Sequence, residues 1–494
     1  MAPGGILVFL LEPFLFSSPF YNAKIFSKSR FYWEKGVRKM DAIRKVRLIM
    51  LCCFCSFAIL AFGLPQAMAY EPLKGDLSKY DPNNQTFPTS GDTIKIAIWD
   101  VFSGPNAWIG EAYYAILGFV AQDINSQGGI RVDGKMKKIQ IIKADTQARP
   151  DPGKRAAEKA ILEDKINVFT GVAGSHIMKA GMALAKQYKT ILVNNAAYSD
   201  ELMDLPDWNE YVFRTCGTGS TSAKSLGIFY EKRPETKFYI LAQDYLWGHS
   251  SAAAFKKVLK ETKPKAQIVG EEYFPVFTKD FAPYLEKVRA SGAEVIFTMA
   301  WGADNQNLIK QSVQLGLKSP LNPELYIPQA SPFLDDTIPL KVIGGPAGRG
   351  LVLCTDFQLD RRAPNVQKLC NIWNKLWKTW KAPYDTVLYQ WPNGGWYRNL
   401  TSYYWYFQVI QKAGSTDPKK VIAAWEGDTF DFFGWKHYMR PADHQVIADR
   451  PIAEMVFPNT WEMPDNAAPG DPVWIPAVKC LPTLDKKLEG RVSK

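Results

Sequence analysis

The sequence predicts an α/β protein of two doubly wound parallel-sheet lobes. Three observations carry this. The chain has 494 residues, too many for one ordinary domain. Hydrophobic residues make up 47% and charged residues 22%, a balance that excludes a disordered or fibrous chain. From residue 93 onward, short β-rich runs alternate with amphipathic helical stretches, a pattern that parallel sheets covered by helices produce.

Element by element, Thr93 opens a β-rich run, TIKIAIW. The turn Ser103-Gly104-Pro105-Asn106 follows, and then residues 110–127 place Tyr113, Ile116, Leu117, Val120 and Ile124 at helical spacing. Residues 138–144 read as a strand. Asp151-Pro152 opens a helix with a capping acid and a first-turn proline. Residues 166–172 and 190–193 read as strands around a helix over 176–187. A second block repeats the alternation: strands over 237–242, 267–273, 294–299 and 325–327, helices over 250–261, 281–291 and 305–316. The blocks join near Cys216–Ser220 and make two lobes. Beyond them, 350–354 is strand-like, 365–380, 399–413 and 418–425 are helical, and the last thirty residues are Pro-rich and irregular.

The amino-terminal region reads as an export signal starting at Met40. Arg44, Lys45 and Arg47 form a positive segment, residues 48–62 are apolar, and Ala67-Met68-Ala69 fits a small-x-small cleavage site, so the mature chain is expected from Tyr70. The apolar run is short for a membrane span of about 20 residues. Residues 1–39 are then a non-native or misassigned start, residues 40–69 the signal peptide, and residues 70–90, polar with three prolines, a linker.

The net charge of +11 shrinks accordingly. Nine of the 60 Lys and Arg and three of the 49 acids fall in residues 1–69, leaving +5 on the remainder with no basic block, so no nucleic-acid partner is expected. Four cysteines remain after cleavage: Cys216, Cys354, Cys370 and Cys480. They can pair in three ways or stay as buried thiols.

Ligands in open parallel sheets bind beyond the carboxyl ends of the strands. That rule selects five loops, at 103–108, 173–176, 194–198, 244–248 and 300–304. Gly174-Ser175 opens a helix, where free N–H groups and the helix dipole favour an anion and the Ser hydroxyl adds a donor; Ser175 alternatively only caps the helix. Trp108, Tyr198, Trp247 and Trp301 place flat apolar surface on four separate loops. Each alone reads as core, but together they suit a pocket of large apolar area with a few polar anchors.

Catalysis finds little support. Gly217-Thr218-Gly219-Ser220 lacks the Lys-Ser/Thr of a phosphate loop and reads as a turn. His176, His249, His437 and His444 fall in no metal spacing, no serine sits in a G-x-S-x-G elbow, and adjacent Ser175 and His176 face different ways on a helix.

The stretches KIAIWDVFSGPNAWIGE, DINSQGGI, DTQARPDP, GVAGSHIMKAGMALAKQYKTILVNNAA, EVIFTMAWGADNQNLIKQ and MRPADHQV, in this order, resemble the type I periplasmic solute-binding proteins of ABC transporters, of the Leu/Ile/Val-binding branch. The likeness spans about residues 94–457. It implies a non-enzymatic, monomeric transport receptor without cofactor or metal, partnered by an inner-membrane ABC permease. Its ligand is an amino acid or a related small hydrophobic or aromatic carboxylate or amide. It also implies three crossovers, near 216–219, 354–358 and 444–448, with lobe 1 made of 91–216 plus 357–445 and lobe 2 of 217–356 plus 446–494. Ser175, Ala196 and Tyr198 match loops that hold a ligand carboxylate, Trp108 or Ile109 lines the pocket, and Trp247 and Trp301 cover it from lobe 2.

The sequence departs from the family at Gln329, where amino-acid binders commonly carry an acid for the ligand ammonium. A neutral Gln matches a buried cation poorly, which argues against an α-amino acid unless Asp304 or Asp244 substitutes. By the same resemblance Cys216 and Cys354 would sit on neighbouring hinge strands, with Cys354–Cys370 as the local alternative pair. A ligand sensor uncoupled from import and an exported hydrolase are the rival readings.

Overall fold

The computed structural model describes residues 70–332, 343–463 and 465–491. The expected export signal at 40–69 and the start at 1–39 lie outside them.

In chain order the first block is β1 (Thr93–Asp100), α1 (Ala107–Ser126), β2 (Ile130–Val132), β3 (Lys135–Asp145), α2 (Pro150–Leu162), β4 (Val168–Gly171), α3 (Ser175–Tyr188), β5 (Ile191–Asn194) and β6 (Val212–Arg214). The second is α4 (Gly219–Tyr230), β7 (Lys237–Gln243), α5 (Leu246–Thr262), β8 (Gln267–Phe274), α6 (Ala282–Ser291), β9 (Val295–Thr298), α7 (Gly302–Gln314), β10 (Gln329–Ser331), α8 (Gly345–Gly348) and β11 (Val352–Cys354). Then follow α9 (Pro364–Trp377), α10 (Tyr384–Val387), α11 (Gly394–Ala413), α12 (Pro418–Trp425), β12 (Thr429–Phe432), β13 (Trp435–Arg440), β14 (Gln445–Ile447), β15 (Arg450–Val456), β16 (Ala468–Pro469) and β17 (Val473–Ile475).

Two sheets result. One has the order β12-β13-β14-β6-β5-β4-β1-β3-β2, the other β16-β15-β11-β10-β9-β7-β8 with β17 on β15. The centre of each is parallel: β1 pairs with β3 and β4, β5 with β4 and β6, and β7 with β8 and β9. The later strands close the edges antiparallel, β13 on β14 and β15 on β11. The chain passes from one sheet to the other after β6, after β11 and after β14.

The α/β alternation follows from burial. The central strands are apolar on both faces: all four residues of β4, β5 and β9 are buried, as strands covered by helices on both sides require. Trp99 of β1 is buried and donates Nε1–H to the Gly153 carbonyl at 2.7 Å. Only a glycine at 181 lets α3 lie on that ring, since a Cβ there would stand 2.5 Å from it.

Three expectations need correction. Residues 70–90 are not a free linker. Asp123 on α1 accepts Leu73 N–H at 2.7 Å and Gly75 N–H at 2.6 Å, and Tyr70 and Tyr80 are buried. Two tyrosine anchors in a polar, Pro-rich stretch outweigh its composition. The strand expected at 325–327 is β10, four residues later; Tyr326 makes only an isolated bridge to Lys318. The turn at 217–220 is a helix start, where the Thr218 side chain accepts the Thr221 N–H in a capping box for α4.

Neither proposed disulfide forms. Cys216, Cys354, Cys370 and Cys480 are all free and buried. Burial pushes the Cys216 thiol up to about 11 and those of Cys354 and Cys370 up to about 12, which keeps them protonated.

Candidate functional site

The carboxyl ends of both parallel sheets face one cavity with an empty volume of about 780 Å³, its mouth included. All five loops selected from the sequence contribute to its wall. From the first lobe come Trp108 at the start of α1, Ser175 at the start of α3, and Ala196 and Tyr198 after β5. From the second come Trp247 at the start of α5 and Trp301 just before α7. These six expected residues therefore share one cavity.

Each is fixed by a local cause. Gly174, at φ 138°, caps α3 without a side-chain bond, so the helix opens on bare N–H groups beside Ser175. The Ser175 Oγ accepts the Ser199 N–H at 3.3 Å, which ties this end to the loop after β5. Ala196 presents its methyl rather than an anion-gripping amide: Asn194 Oδ1 already takes the N–H groups of Ala196 at 3.3 Å and Ala197 at 2.8 Å. Trp247 donates Nε1–H to the Met299 carbonyl at 2.9 Å, and Trp301 donates to the Tyr245 hydroxyl at 2.8 Å. Both indoles are thus oriented by polar bonds at one edge and leave apolar faces for the cavity.

The lobes touch across the cleft. The rings of Tyr198 and Trp247 stand edge to face at 5.6 Å, and those of His176 and Tyr245 at 5.5 Å. The Asn106 Oδ1 accepts the Ala303 N–H at 3.2 Å. Gly302, at φ +58°, is required there, because a Cβ would meet that Oδ1 at 2.8 Å. Behind the cavity Asp356 gathers all three crossings: its carboxylate accepts the Gly217 N–H at 3.0 Å, pairs with Arg450, and accepts a hydrogen bond from the Tyr198 hydroxyl.

Asp304 and Gln329 do not line the cavity. Asp304 is in the first turn of α7, where its Oδ2 accepts from Gln243 Nε2 at 2.6 Å and from the Phe277 N–H at 2.9 Å. Burial pushes its carboxyl up to about 6. Gln329 is in β10, walled between β9 and β11 and only 1% exposed. Asp244 is no substitute, since it is turned to the surface and pairs with His249 at 2.7 Å. In each case a position near a strand end does not fix which way the side chain turns.

Sequence reasoning missed the whole far wall. Trp373 of α9, Tyr389 and Trp391 from the segment after α10, and Trp396 and Arg398 of α11 also line the cavity. Trp373 and Trp377 donate their indole N–H to the carbonyls of Tyr389 and Leu388, at 2.8 and 2.7 Å, and so hold this segment in place. Arg398 is buried, donates Nη2–H to the Tyr113 hydroxyl at 2.9 Å, and lies 5.7 Å from the centre of the Tyr198 ring. These residues lie in helices or just after one, not at strand ends, so the strand-end rule passes over them. The aromatic density of WPNGGWYR, 391–398, was the available signal.

Among the described residues no group of three or more metal-ligating side chains is present, and no helix is long and apolar enough to cross a membrane. The histidines are accounted for structurally. His437 is buried and its imidazole is pulled down to about 4, while His444 pairs with Glu426 at 2.7 Å.

A cavity that neither sheet can enclose alone defines a class: two-lobed proteins that hold a small molecule between their lobes. The model of the periplasmic binding protein family matches residues 93–459, and the chain belongs to that family. It is 26% identical over 232 residues to Leu/Ile/Val-binding protein homolog 6 of Brucella melitensis biotype 1, a match covering 46% of this chain and 56% of the relative. It is 24% identical over 279 residues to the Leu/Ile/Val-binding protein of Escherichia coli K12, covering 56% and 70%. The chain thus spans little more than half the length of the first of these relatives. Among solved structures, a periplasmic binding protein from Burkholderia mallei matches with a TM-score of 0.67 at 21% identity, over 81% of this chain and 98% of the other. A solute-binding protein of an ABC transporter from Rhodopseudomonas palustris BisB5, in complex with 3,4-dihydroxybenzoic acid, matches with 0.66 at 22%, over 78% and 98%. The closed leucine-, isoleucine-, valine-, threonine- and alanine-binding protein of Brucella ovis matches with 0.66 at 20%, over 80% and 98%. At these identities the structural matches describe a shared fold.

Proposed function

We propose that the chain is the solute-binding component of an ABC importer, exported to the periplasm by the signal at 40–69, and that its cleft closes on a small carboxylate with an aromatic body. The observation that carries this reading is the cavity wall. Ten aromatic side chains from both lobes and the far wall surround it, with a bare helix end, Ser175 and the Arg398 guanidinium as polar features. An aryl ring stacks on such walls, whereas an aliphatic amino acid leaves most of their surface uncovered. The dihydroxybenzoic acid held by the R. palustris neighbour supports this class; the Brucella ovis neighbour keeps amino acids as the second candidate class.

The mechanism is closure by differential affinity. The ligand docks through its carboxylate at the α3 end of lobe 1. Trp247 and Trp301 then cover its ring from lobe 2, and only a ligand that touches both lobes favours the closed form. The closed surface is what an inner-membrane permease would recognise.

The test is mass spectrometry of the small molecule that copurifies with the mature chain, followed by calorimetry with benzoate, 4-hydroxybenzoate and leucine. Aromatic carboxylates are expected to bind tightest and to change the Trp emission. The W247A/W301A double substitution should weaken them about 100-fold or more. Tightest binding of leucine, or full affinity in the double variant, overturns the reading.

A further inference from the structure

A second cavity adjoins the first and shares its Tyr389, Trp391 and Asn393. Its empty volume is about 710 Å³, its mouth included. Its walls come from outside the five strand-end loops: the second crossing, the end of α9 and the segment before α11, and β15 with the chain beyond it. Most of the lining is apolar, with Leu359, Trp377 and Pro392 on one side and Met455, Met463 and Ala467 on the other.

Three buried polar atoms in this wall lack a hydrogen-bond partner. Gln358 is 2% exposed, yet its Nε2 has no hydrogen-bond partner. The buried Oδ1 of Asn466 has none, and neither has the indole Nε1 of Trp391. A buried donor or acceptor left unpaired costs about 1–3 kcal/mol. Here the three line one apolar cavity, where an occupant can pair with them. Two donors and one acceptor match a hydroxyl, which accepts once or twice and donates once.

We infer that this chamber is a distal subsite of the ligand cavity, and that the ligand is an elongated aryl carboxylate whose far end, a second ring or arm carrying a hydroxyl, passes Trp391 and lies between Met463 and Leu359. This inference rests on the proposed carboxylate-binding cleft and adds the length and distal polarity of its ligand. The occupant is the far end of the same molecule because the two chambers share a wall. Trp391 stands at that boundary, lining both cavities, and is held edge to face against Trp461 at 5.3 Å.

Calorimetry with benzoate, biphenyl-4-carboxylate and 4′-hydroxybiphenyl-4-carboxylate tests it, on the native chain and on Met463→Trp and Gln358→Leu. The native chain should bind the hydroxybiphenyl acid at least tenfold tighter than benzoate. Met463→Trp, which fills the chamber, should remove that advantage and leave benzoate within about twofold. Gln358→Leu should erase only the gain from the hydroxyl. Equal or weaker binding of the biphenyl acids, or a plug that weakens benzoate equally, overturns the distal subsite while leaving the cleft reading intact. Failure of every carboxylate to bind overturns the cleft reading and the inference with it.

Discussion

Asp304 shows how a single buried carboxylate is set by its surroundings. It was a candidate partner for a ligand ammonium, and it instead braces α7 against Gln243 and Phe277. Burial pushes its carboxyl up to about 6, with the bonds from Gln243 and Phe277 opposing the shift. An unfolded Asp titrates near 3.9, so the folded chain holds this proton more tightly than the unfolded chain does. The neutral acid's stabilisation is therefore complete below about pH 4 and is lost as pH rises through about 6. Asn at this position keeps a carbonyl acceptor and cannot ionise. Thermal melts should show D304N gaining on the native chain as pH rises from 4.5 to 7.5, by about 2 kcal/mol. A difference that stays flat over that range refutes the assignment. At this same scale the strand-end rule identified Trp108, Ser175, Tyr198, Trp247 and Trp301 as cavity residues, because each sits within a few residues of a parallel strand's end. It could not find Arg398, whose place depends on how α11 packs against Tyr113.

Elements explain the junction between the lobes. Gly217, Asp356 and Arg450 belong to different crossings, and the Asp356 carboxylate binds the other two together with Tyr198 from the cavity wall. Arg450 and Asp356 are both nearly buried, with side chains 4% and 10% exposed. Removing one member of such a pair strands the other charge and costs about 3–5 kcal/mol, whereas removing both costs less than the two losses added. Denaturant unfolding of R450M, D356L and the double variant should show that coupling; simple additivity would mean that the pair does not fasten the crossings. None of this was legible beforehand, since contacts between residues 217, 356 and 450 leave no periodic trace in the sequence. The elements themselves were legible wherever burial imposes a period: β1, α1, α3 and β7 follow their apolar patterns closely. The later strands β12 to β17 were not, because they are short and take their register from neighbours; only β12 and β13 carry the alternation of buried and exposed residues that could have marked them.

Across the whole molecule, the proposed function requires that closure depend on the ligand. Contacts that join the lobes over the cavity are individually modest, among them the bond from the Ala303 N–H to the Asn106 side chain and the two edge-to-face ring pairs. Each is worth on the order of 1 kcal/mol, and closing without a ligand would leave an apolar chamber with no atoms to fill it, which forfeits the contacts of its lining. An occupant restores those contacts and bridges the two sheets, so the balance between open and closed forms follows occupancy. Small-angle X-ray scattering of the mature chain, stripped of ligand by unfolding and refolding, should give a larger radius of gyration than the same chain saturated with its copurifying ligand. Amide exchange should slow on binding at 172–176 and 299–303, one cavity-lining loop from each lobe, and stay unchanged in β4 and β9 behind them. Identical scattering in both states, with exchange unaffected in these loops, would show a rigid container and remove ligand-driven closure as the signal read by a permease.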